Sequence, residues 1–127
     1  MAKRIGAPPA GAKRGKGPHA PDRGDFVWLP FSPQAGREQA GRRPALVITP
    51  RAYNEKVGLC LACPITSHAK GYPFEVCISR SQPIQGVVLA DHIKSLDWRE
   101  RECEIVAAAP AEIVEEVLAK LKVLLEP

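Results

Sequence analysis

Residues 44–65, PALVITPRAYNEKVGLCLACPI, contain the pattern on which the fold prediction rests. Residues 44–49 form a β-rich apolar run that begins at a proline, where a strand tolerates the missing backbone donor. Residues 59–65 form a second apolar run, and residues 51–56 between the two fit a short helical turn. The segment therefore predicts two strands joined through one short helical turn.

Further short strands flank this segment on both sides. Residues 25–31 precede it, and residues 74–78, 86–90 and 104–107 follow it, with Pro, Gly and Ser in the gaps. Polar and apolar residues alternate over residues 74–78, which is typical of a strand with one buried face. The chain therefore reads as a series of short, closely spaced strands.

A single amphipathic helix is predicted at the end of the chain, beginning near Pro110. Proline suits the first helical turn, and glutamates near the start with lysines near the end complement the helix dipole. Short strands followed by one terminal helix predict a mainly β or α+β fold, in the form of a small, strongly curved barrel. The apolar stripe, predicted to pack on the core or on another subunit, consists of Ile113, Val114, Val117, Leu118, Leu121, Leu124 and Leu125.

Length and charge limit the protein classes to consider. The 127 residues suit one domain, and no apolar run approaches the ~18 residues that a membrane-spanning helix needs. The N-terminus lacks the apolar core of a signal peptide, so we expect a cytoplasmic protein with reduced cysteines. The formal net charge is +4, but residues 1–24 contain six basic residues and one acidic residue.

Residues 1–24 differ in composition from the rest of the chain. They include four prolines, five glycines and almost no large apolar side chain, which predicts a disordered basic arm. Such an arm either attracts a polyanion without specificity or is only a solvated extension. The folded domain is predicted to span residues 25–127.

The cysteines do not indicate a metal site. Cys60 and Cys63 form one C-x-x-C, but an offset of three directs their side chains to opposite faces of a strand. Cys77 and Cys103 are isolated in the sequence. A structural zinc site needs a second ligand pair, so buried apolar thiols are predicted instead.

The first candidate functional loop is residues 32–43. It contains one carboxylate, Glu38, and three arginines, Arg37, Arg42 and Arg43. A guanidinium group binds phosphate through two parallel hydrogen bonds, and loops between strands lie at the surface. The alternative is a basic surface loop that is only solvated.

The second candidate loop follows the predicted strand 59–65. Thr66, Ser67, His68 and Lys70 supply two hydroxyls, an imidazole and an ammonium group within five residues. With the first loop, these groups match what RNA cleavage through the ribose 2′-hydroxyl requires: cations and hydroxyls for the charged phosphorane-like state, and groups that move protons.

Several short motifs lie in order along the chain. They are DFVW at residues 25–28, EQAGRRPA at 38–45, YN at 53–54, CPIT at 63–66, KGYPFEV at 70–76, LADHIKS at 89–95 and WR at 98–99. Together they resemble the MazF/PemK family of toxin endoribonucleases over residues 22–127. Several collinear motifs at consistent spacing are more specific than any one of them.

The resemblance implies a fold and an activity. The fold is an SH3-like β-barrel of the CcdB/PemK type with a C-terminal helix, which works as a homodimer. The activity is that of a type II toxin: sequence-specific cleavage of single-stranded RNA, mainly messenger RNA, without a ribosome, a metal or another cofactor. The products carry a 2′,3′-cyclic phosphate and a 5′-hydroxyl, and a cognate, MazE-like antitoxin inhibits the toxin.

The resemblance also assigns roles to residues. The catalytic arginine before Pro-Ala is Arg43, the catalytic threonine after the third strand is Thr66, and the glutamate of Glu-Gln-Ala-Gly is Glu38, which acts as a base or holds Arg43. His68 departs from the family pattern, which often has a neutral polar residue there; it either faces the scissile phosphate or is an exposed loop histidine or a base-stacking contact. Asp91 and Lys94 are structural or line the groove, and His92 is given no catalytic role. The residues expected to contact RNA are Gln39, Arg42, Asn54, Ser67, His68 and Lys70.

Two other functions remain as alternatives. One is a toxin of the same fold that poisons a protein, as CcdB-type gyrase inhibitors do, and such a toxin needs no phosphate-binding residues. The other is a noncatalytic RNA-binding barrel, which would bind RNA without producing new ends.

Overall fold

The computed structural model describes residues 19–31 and 42–126. The strands within these residues are β1 (Asp25–Pro30), β2 (Arg42–Val47), β3 (Cys60–Thr66), β4 (Glu75–Ile78), β5 (Gly86–Leu89), β6 (Lys94–Leu96) and β7 (Glu104–Ala108). Helix α1 (Arg51–Val57) lies between β2 and β3, and helix α2 (Ala111–Leu125) follows β7; a 3-10 turn, Ala90–His92, joins β5 to β6. Neither α1 nor α2 is long and apolar enough to cross a membrane.

The strands form one antiparallel sheet in which β3 is central. The strand order is β4-β5-β3-β2-β1-β7, and β6 also pairs with β3. One edge of β3 pairs with β2, and the other edge pairs first with β6 and then with β5. The end of β3 therefore lies where these neighbouring strands meet.

Two apolar clusters cover the two faces of the sheet. On the helix face, which α2 covers, Phe26, Leu46 and Cys63 pack with Ile113, Val117 and Leu121. On the opposite face, here called the far face, the buried residues are Val27, Leu29, Ala45, Val47, Cys60, Ala62, Leu96 and Trp98. Successive residues of a strand point to opposite faces, which explains how two cores form on one sheet.

Most of the predicted elements are confirmed. The predicted strands match β1 to β5 and β7 within two residues at each end, and the terminal helix and the turn at residues 51–56 are present. Strand β6 was not predicted, because its three residues are too few to show an alternating pattern. In the predicted apolar stripe of α2, Leu124 and Leu125 are exposed, whereas the residues of the first three turns reach the core.

The predicted end of the basic arm at residue 24 is wrong. Ala20 and Pro21 are buried, and the Gly24 N–H donates to the Val47 carbonyl at 2.8 Å. The Asp22 carboxylate accepts the backbone N–H of Arg51 at 2.8 Å. Composition did not reveal this packing, because the contacts join residues more than twenty positions apart. Residues 1–18 of the predicted arm lie outside the described residues.

The cysteine predictions are confirmed in part. Cys60 belongs to the far-face cluster and Cys63 to the helix-face cluster, as the spacing of three predicted. Burial raises the pKa of each of these two thiols to about 12. The prediction of a buried thiol is wrong for Cys77, which is exposed because it points outward from β4, and Cys103 is only partly buried.

Candidate active site

The sheet brings Arg43 and Thr66 to one face at the same end of two adjacent strands. Arg43 lies opposite Leu29 in the pairing of β1 with β2, so it shares the far face with that buried residue. Antiparallel pairing of β2 with β3 runs from Val47–Ala62 to Ala45–Pro64. Beyond this pairing β2 extends by three residues, to Arg42, and β3 by two, to Thr66. By alternation Thr66 also lies on the far face. The structure therefore places the two predicted catalytic residues on one face, at the same end of adjacent strands.

Arg42 lies on the other face of the sheet. Its guanidinium Nη2 is 3.3 Å from Oε1 of Glu104, and the two side chains are 39% and 68% exposed. An exposed pair of this kind contributes little to stability. The alternation of a strand thus separates two neighbouring arginines, and Arg42 does not join the surface formed by Arg43 and Thr66.

Hydrogen bonds to the backbone shape the loop after β3. The Thr66 hydroxyl oxygen accepts the His68 N–H at 3.1 Å, and the same hydroxyl keeps one proton to donate. The Glu75 carboxylate accepts the N–H groups of Lys70 and Gly71, each at 3.0 Å. These bonds hold both ends of the loop.

The side chains predicted to contact RNA from this loop are accessible. Ser67, His68 and Lys70 are all exposed, and Lys70 presents its ammonium group from the turn that Glu75 holds. The structure therefore keeps these three residues beside Thr66 as candidate RNA contacts.

Gly86 sets the position of Thr66, and sequence reasoning missed it. Gly86 begins β5 with a φ of +119°, a conformation that L side chains rarely adopt. A Cβ built on Gly86 would lie 2.2 Å from the Thr66 carbonyl oxygen and 3.3 Å from the Ser67 Cα. The backbones of β3 and β5 therefore approach so closely only because residue 86 has no side chain. Glycine in an apolar strand run was the available signal, since it often marks a close backbone approach.

An open cleft of about 410 Å³ lies beside Arg43 on the same surface. Phe31, Arg43, Pro64, His92, Ile93 and Lys94 line it. Lys94 reaches this face because it pairs with Ala62 of β3, and it lines this cleft. His92, which was given no role, also lies in the cleft, and its Nε2 is 3.9 Å from the Asp91 carboxylate.

Asn54 was predicted to contact RNA, and this prediction is wrong. Its side chain is fully buried, and its Nδ2 donates to the carbonyls of Pro21 at 2.8 Å and Thr49 at 2.9 Å. The side-chain Oδ1 of Asn54 accepts the Thr49 hydroxyl at 2.6 Å, and the backbone carbonyl of Asn54 accepts the indole N–H of Trp98 at 2.8 Å. A buried polar side chain whose groups are paired in this way stabilises the fold and does not meet a ligand.

Glu38 and Gln39 lie outside the described residues, within the gap at 32–41. The proton-accepting or orienting role of Glu38 and the RNA contact of Gln39 stay predictions.

The described site combines groups that suit a phosphodiester. Arg43 offers a planar guanidinium, Thr66 a hydroxyl and Lys94 an ammonium group, all on the far face. A guanidinium and a hydroxyl side by side can bind the two nonbridging oxygens of one phosphate and stabilise charge that develops on them.

Comparisons with known proteins identify one family of relatives. The sequence model of a family described as PemK-like, MazF-like toxin of type II toxin-antitoxin system matches residues 22–125. Among curated proteins, the Escherichia coli K12 endoribonuclease toxin MazF is 46% identical over 107 residues, which cover 84% of this chain and 96% of that protein. The E. coli K12 endoribonuclease toxin ChpB is 36% identical over 110 residues, 83% of this chain and 94% of that protein.

A solved structure shows the same fold. A MazE–MazF crystal structure from Deinococcus radiodurans superposes with a TM-score of 0.79 at 58% identity, covering 85% of this chain and 97% of the matched chain. The expected family fold with a C-terminal helix is thereby confirmed.

Proposed function

The chain belongs to the PemK-like, MazF-like family of toxins of type II toxin–antitoxin systems, and we propose that it is a sequence-specific endoribonuclease that cleaves single-stranded RNA, mainly messenger RNA. The observation that carries the proposal is the placement of Arg43 and Thr66 on one face at the ends of adjacent strands. The matched relatives MazF and ChpB are named endoribonuclease toxins. A gyrase-directed toxin would not need this pair, and that alternative is not favoured.

The proposed reaction is a transfer within the RNA strand. The ribose 2′-oxygen attacks the neighbouring phosphorus, a P–O2′ bond forms, and the P–O5′ bond breaks. One fragment ends in a 2′,3′-cyclic phosphate, and the leaving 5′-oxygen takes up a proton to become a 5′-hydroxyl. The reaction as proposed uses no metal and no cofactor.

Each of the two described residues has a distinct part in this reaction. Arg43 binds the scissile phosphate and stabilises the negative charge of the phosphorane-like state. Thr66 donates its hydroxyl proton to a nonbridging oxygen, while its oxygen accepts the His68 N–H. Glu38 accepts the 2′-hydroxyl proton or holds Arg43 in place. RNA is also contacted by three residues of the loop after β3, namely Ser67, His68 and Lys70.

Partners and location follow from the family. The D. radiodurans structure contains MazE together with MazF, and we propose that a MazE-like antitoxin inhibits this chain. We also propose that it forms a homodimer and acts in the cytoplasm, where messenger RNA is translated and cysteines stay reduced.

The test is a cleavage assay on purified protein. A long single-stranded RNA is incubated in EDTA, and the new ends are mapped by sequencing and by their 5′ chemistry. We expect discrete cuts with 5′-hydroxyl ends. Removing one group that stabilises the transition state lowers the rate by about 10²–10³-fold, so Arg43→Ala and Thr66→Ala should each lose cleavage at this level or beyond.

Arg42→Ala is the matched control, because it removes a neighbouring guanidinium from the other face of the sheet. We expect it to lose far less activity than Arg43→Ala. Normal cleavage by a folded Arg43→Ala protein would contradict the assignment, and binding without any new ends would identify a noncatalytic RNA-binding barrel.

A further inference from the structure

The positive charge of this protein is concentrated at one end of the chain. Residues 1–18, here called the N-terminal segment, contain five basic residues and no acidic residue. The rest of the chain contains thirteen basic and fourteen acidic residues, so its formal net charge is −1. Without the N-terminal segment, a protein whose proposed substrate is a polyanion would therefore have almost no long-range attraction for it. The five basic residues are Lys3, Arg4, Lys13, Arg14 and Lys16.

The family assignment gives this segment no role. The family model matches residues 22–125, and E. coli MazF is matched over 96% of its own length by a part of this chain that covers 84% of it. The candidate catalytic residues Arg43 and Thr66 lie within the matched residues. The charge of the N-terminal segment is thus a property of this chain that the family does not explain.

The structure shows where the segment joins the folded domain. Ala20 and Pro21 are buried, and both of their carbonyls are paired. The Ala20 carbonyl accepts the Nε–H of Arg51 at 3.1 Å, and the Pro21 carbonyl accepts the Nδ2–H of Asn54 at 2.8 Å. His19, directly before them, is exposed. The segment is therefore attached to a firmly packed stretch of backbone at the protein surface.

This attachment point belongs to the face of the sheet that carries the candidate site. Ala20 is a member of the far-face cluster, together with Val47 of β2. Arg43 lies on the same face, four residues from Val47 along β2, which corresponds to about 14 Å. Eighteen residues span at most about 60 Å, so the basic side chains can reach an RNA strand well beyond the phosphate at Arg43.

We propose that the N-terminal segment binds phosphates of the RNA strand outside the catalytic site, as an electrostatic contact that does not depend on RNA sequence. The proposal rests on the proposed function, because RNA held at Arg43 and Thr66 brings its neighbouring phosphates within reach of the segment. Lysine and arginine that neutralise phosphates release counterions, which favours binding most strongly at low salt. The segment raises the affinity for long RNA and takes no part in the cleavage step.

An acidic stretch of the chain itself is a weaker partner for these cations. Residues 97–104 contain four acidic residues, but they also contain Arg99 and Arg101. The Glu104 carboxylate in this stretch is 3.3 Å from Nη2 of Arg42. An RNA strand carries a negative charge at every phosphate and no positive group. The higher density of negative charge favours RNA as the partner of the segment.

The test compares the binding of a short and a long RNA to the full chain. The short probe covers a mapped cut site with about five nucleotides, and the long probe extends it to about twenty; a 2′-O-methyl group at the cleaved nucleotide blocks attack in both. Affinities are measured by fluorescence anisotropy over a series of salt concentrations. The wild-type chain is compared with a permuted control, in which residues 2–18 keep their composition in a different order, and with a neutral variant. The neutral variant carries Lys3→Gln, Arg4→Gln, Lys13→Gln, Arg14→Gln and Lys16→Gln.

The neutral variant should bind the long probe more weakly and with less salt dependence. Each phosphate contact of a single strand contributes about 0.7 to the slope of log K against log salt, so the loss of two or more contacts lowers the slope by about 1.4 or more. If the affinities converge near 1 M salt, this slope change corresponds to roughly 25-fold weaker binding at 0.1 M salt. The short probe should lose less than about threefold, and the permuted control should bind both probes as the wild type does.

Cleavage kinetics give a second readout. Because the segment does not touch the reacting phosphate, the single-turnover rate of the neutral variant at saturating protein should stay within about twofold of the wild-type rate. At low protein concentration and low salt, its cleavage of long RNA should fall in proportion to its affinity. A saturated rate that fell as far as the affinity would overturn the proposal, since the segment would then act in the catalytic step.

The outcomes separate this proposal from the proposed function. If the wild-type chain cuts RNA and the neutral variant binds the long probe as tightly as the wild type, or more tightly, the RNA contact of the segment is overturned and the endoribonuclease stands. Tighter binding would show that the segment pairs with the acidic stretch instead. An equal loss on both probes, or a loss in the permuted control, would also overturn the proposal. If the wild-type chain neither cuts nor binds RNA, both proposals fail.

Discussion

Replacing Gly86 by alanine should disable the site without unfolding the protein. The added Cβ would lie 2.2 Å from the Thr66 carbonyl oxygen, whereas carbon and oxygen in close contact are about 3.3 Å apart. The two backbones must therefore separate by roughly 1 Å. No side-chain rotation can relieve the contact, because the carbonyl oxygen and the carbonyl carbon of Thr66 both belong to the backbone. The carbon would lie 2.9 Å from the added Cβ.

The size of the effect on catalysis follows from this displacement. The moving segment includes Thr66, whose hydroxyl is proposed to hold a nonbridging oxygen in the transition state. A misplacement of 1 Å can lower the rate of an enzymatic reaction by about 10²-fold. We therefore expect kcat of Gly86→Ala to fall by roughly this factor, with a smaller change in RNA affinity.

Gly58→Ala is the matched control for backbone strain. Gly58 also has a positive φ, +78°, at the end of α1, but a Cβ there would meet nothing within 4 Å. An alanine at positive φ costs about 1–2 kcal/mol of the free energy of unfolding, so both variants should lose stability. Only Gly86→Ala should lose catalysis.

The assay is single-turnover cleavage at saturating protein, well below the melting temperature of both variants. Circular dichroism first confirms that each is folded. If folded Gly86→Ala cleaves RNA as fast as Gly58→Ala, the contact with Thr66 does not position the catalytic hydroxyl, and the reasoning is refuted.

Four further predictions follow from the contacts and burial of the described residues. Asn54→Leu should lower the free energy of unfolding by about 3 kcal/mol in urea titrations, because two buried carbonyls lose their donor; a loss below about 1 kcal/mol would contradict the structural role. Glu75→Gln should raise KM for RNA about threefold with little change in melting temperature. The reason is that a neutral amide oxygen holds the Lys70 and Gly71 N–H groups less strongly than the carboxylate does. An unchanged KM would show that this loop does not help to bind RNA. Iodoacetamide at pH 8 should label Cys77 in the native protein but not Cys60 or Cys63, whose pKa burial raises to about 12; peptide mass spectrometry would refute this if all three reacted at one rate. Between about pH 9 and 12 these two thiols stay protonated in the folded protein but lose their protons in the unfolded chain. The free energy of unfolding should therefore fall as pH rises through this range.

Local sequence patterns were sufficient where neighbours along the chain decide the structure. The apolar spacing of Ile113, Val117 and Leu121 defines the buried face of α2, and an offset of three places Cys60 and Cys63 on opposite faces of β3. The motif residues Arg43 and Thr66 were identified as a candidate pair from their order and family resemblance. The structure then placed them on one face of adjacent strands.

Tertiary structure decided the features that depend on residues far apart in the chain. The Asn54 side chain donates to the Pro21 carbonyl across 33 positions, and the Trp98 indole N–H reaches the Asn54 backbone carbonyl across 44, so a residue expected to contact RNA is instead part of the buried framework. Gly86 touches the backbone of Thr66, and Lys94 shares a cleft with Arg43, only because β5 and β6 pair with the same edge of β3. Such contacts arise from strand register and packing, which no local propensity encodes, and they determine the shape of the site that the sequence motifs occupy.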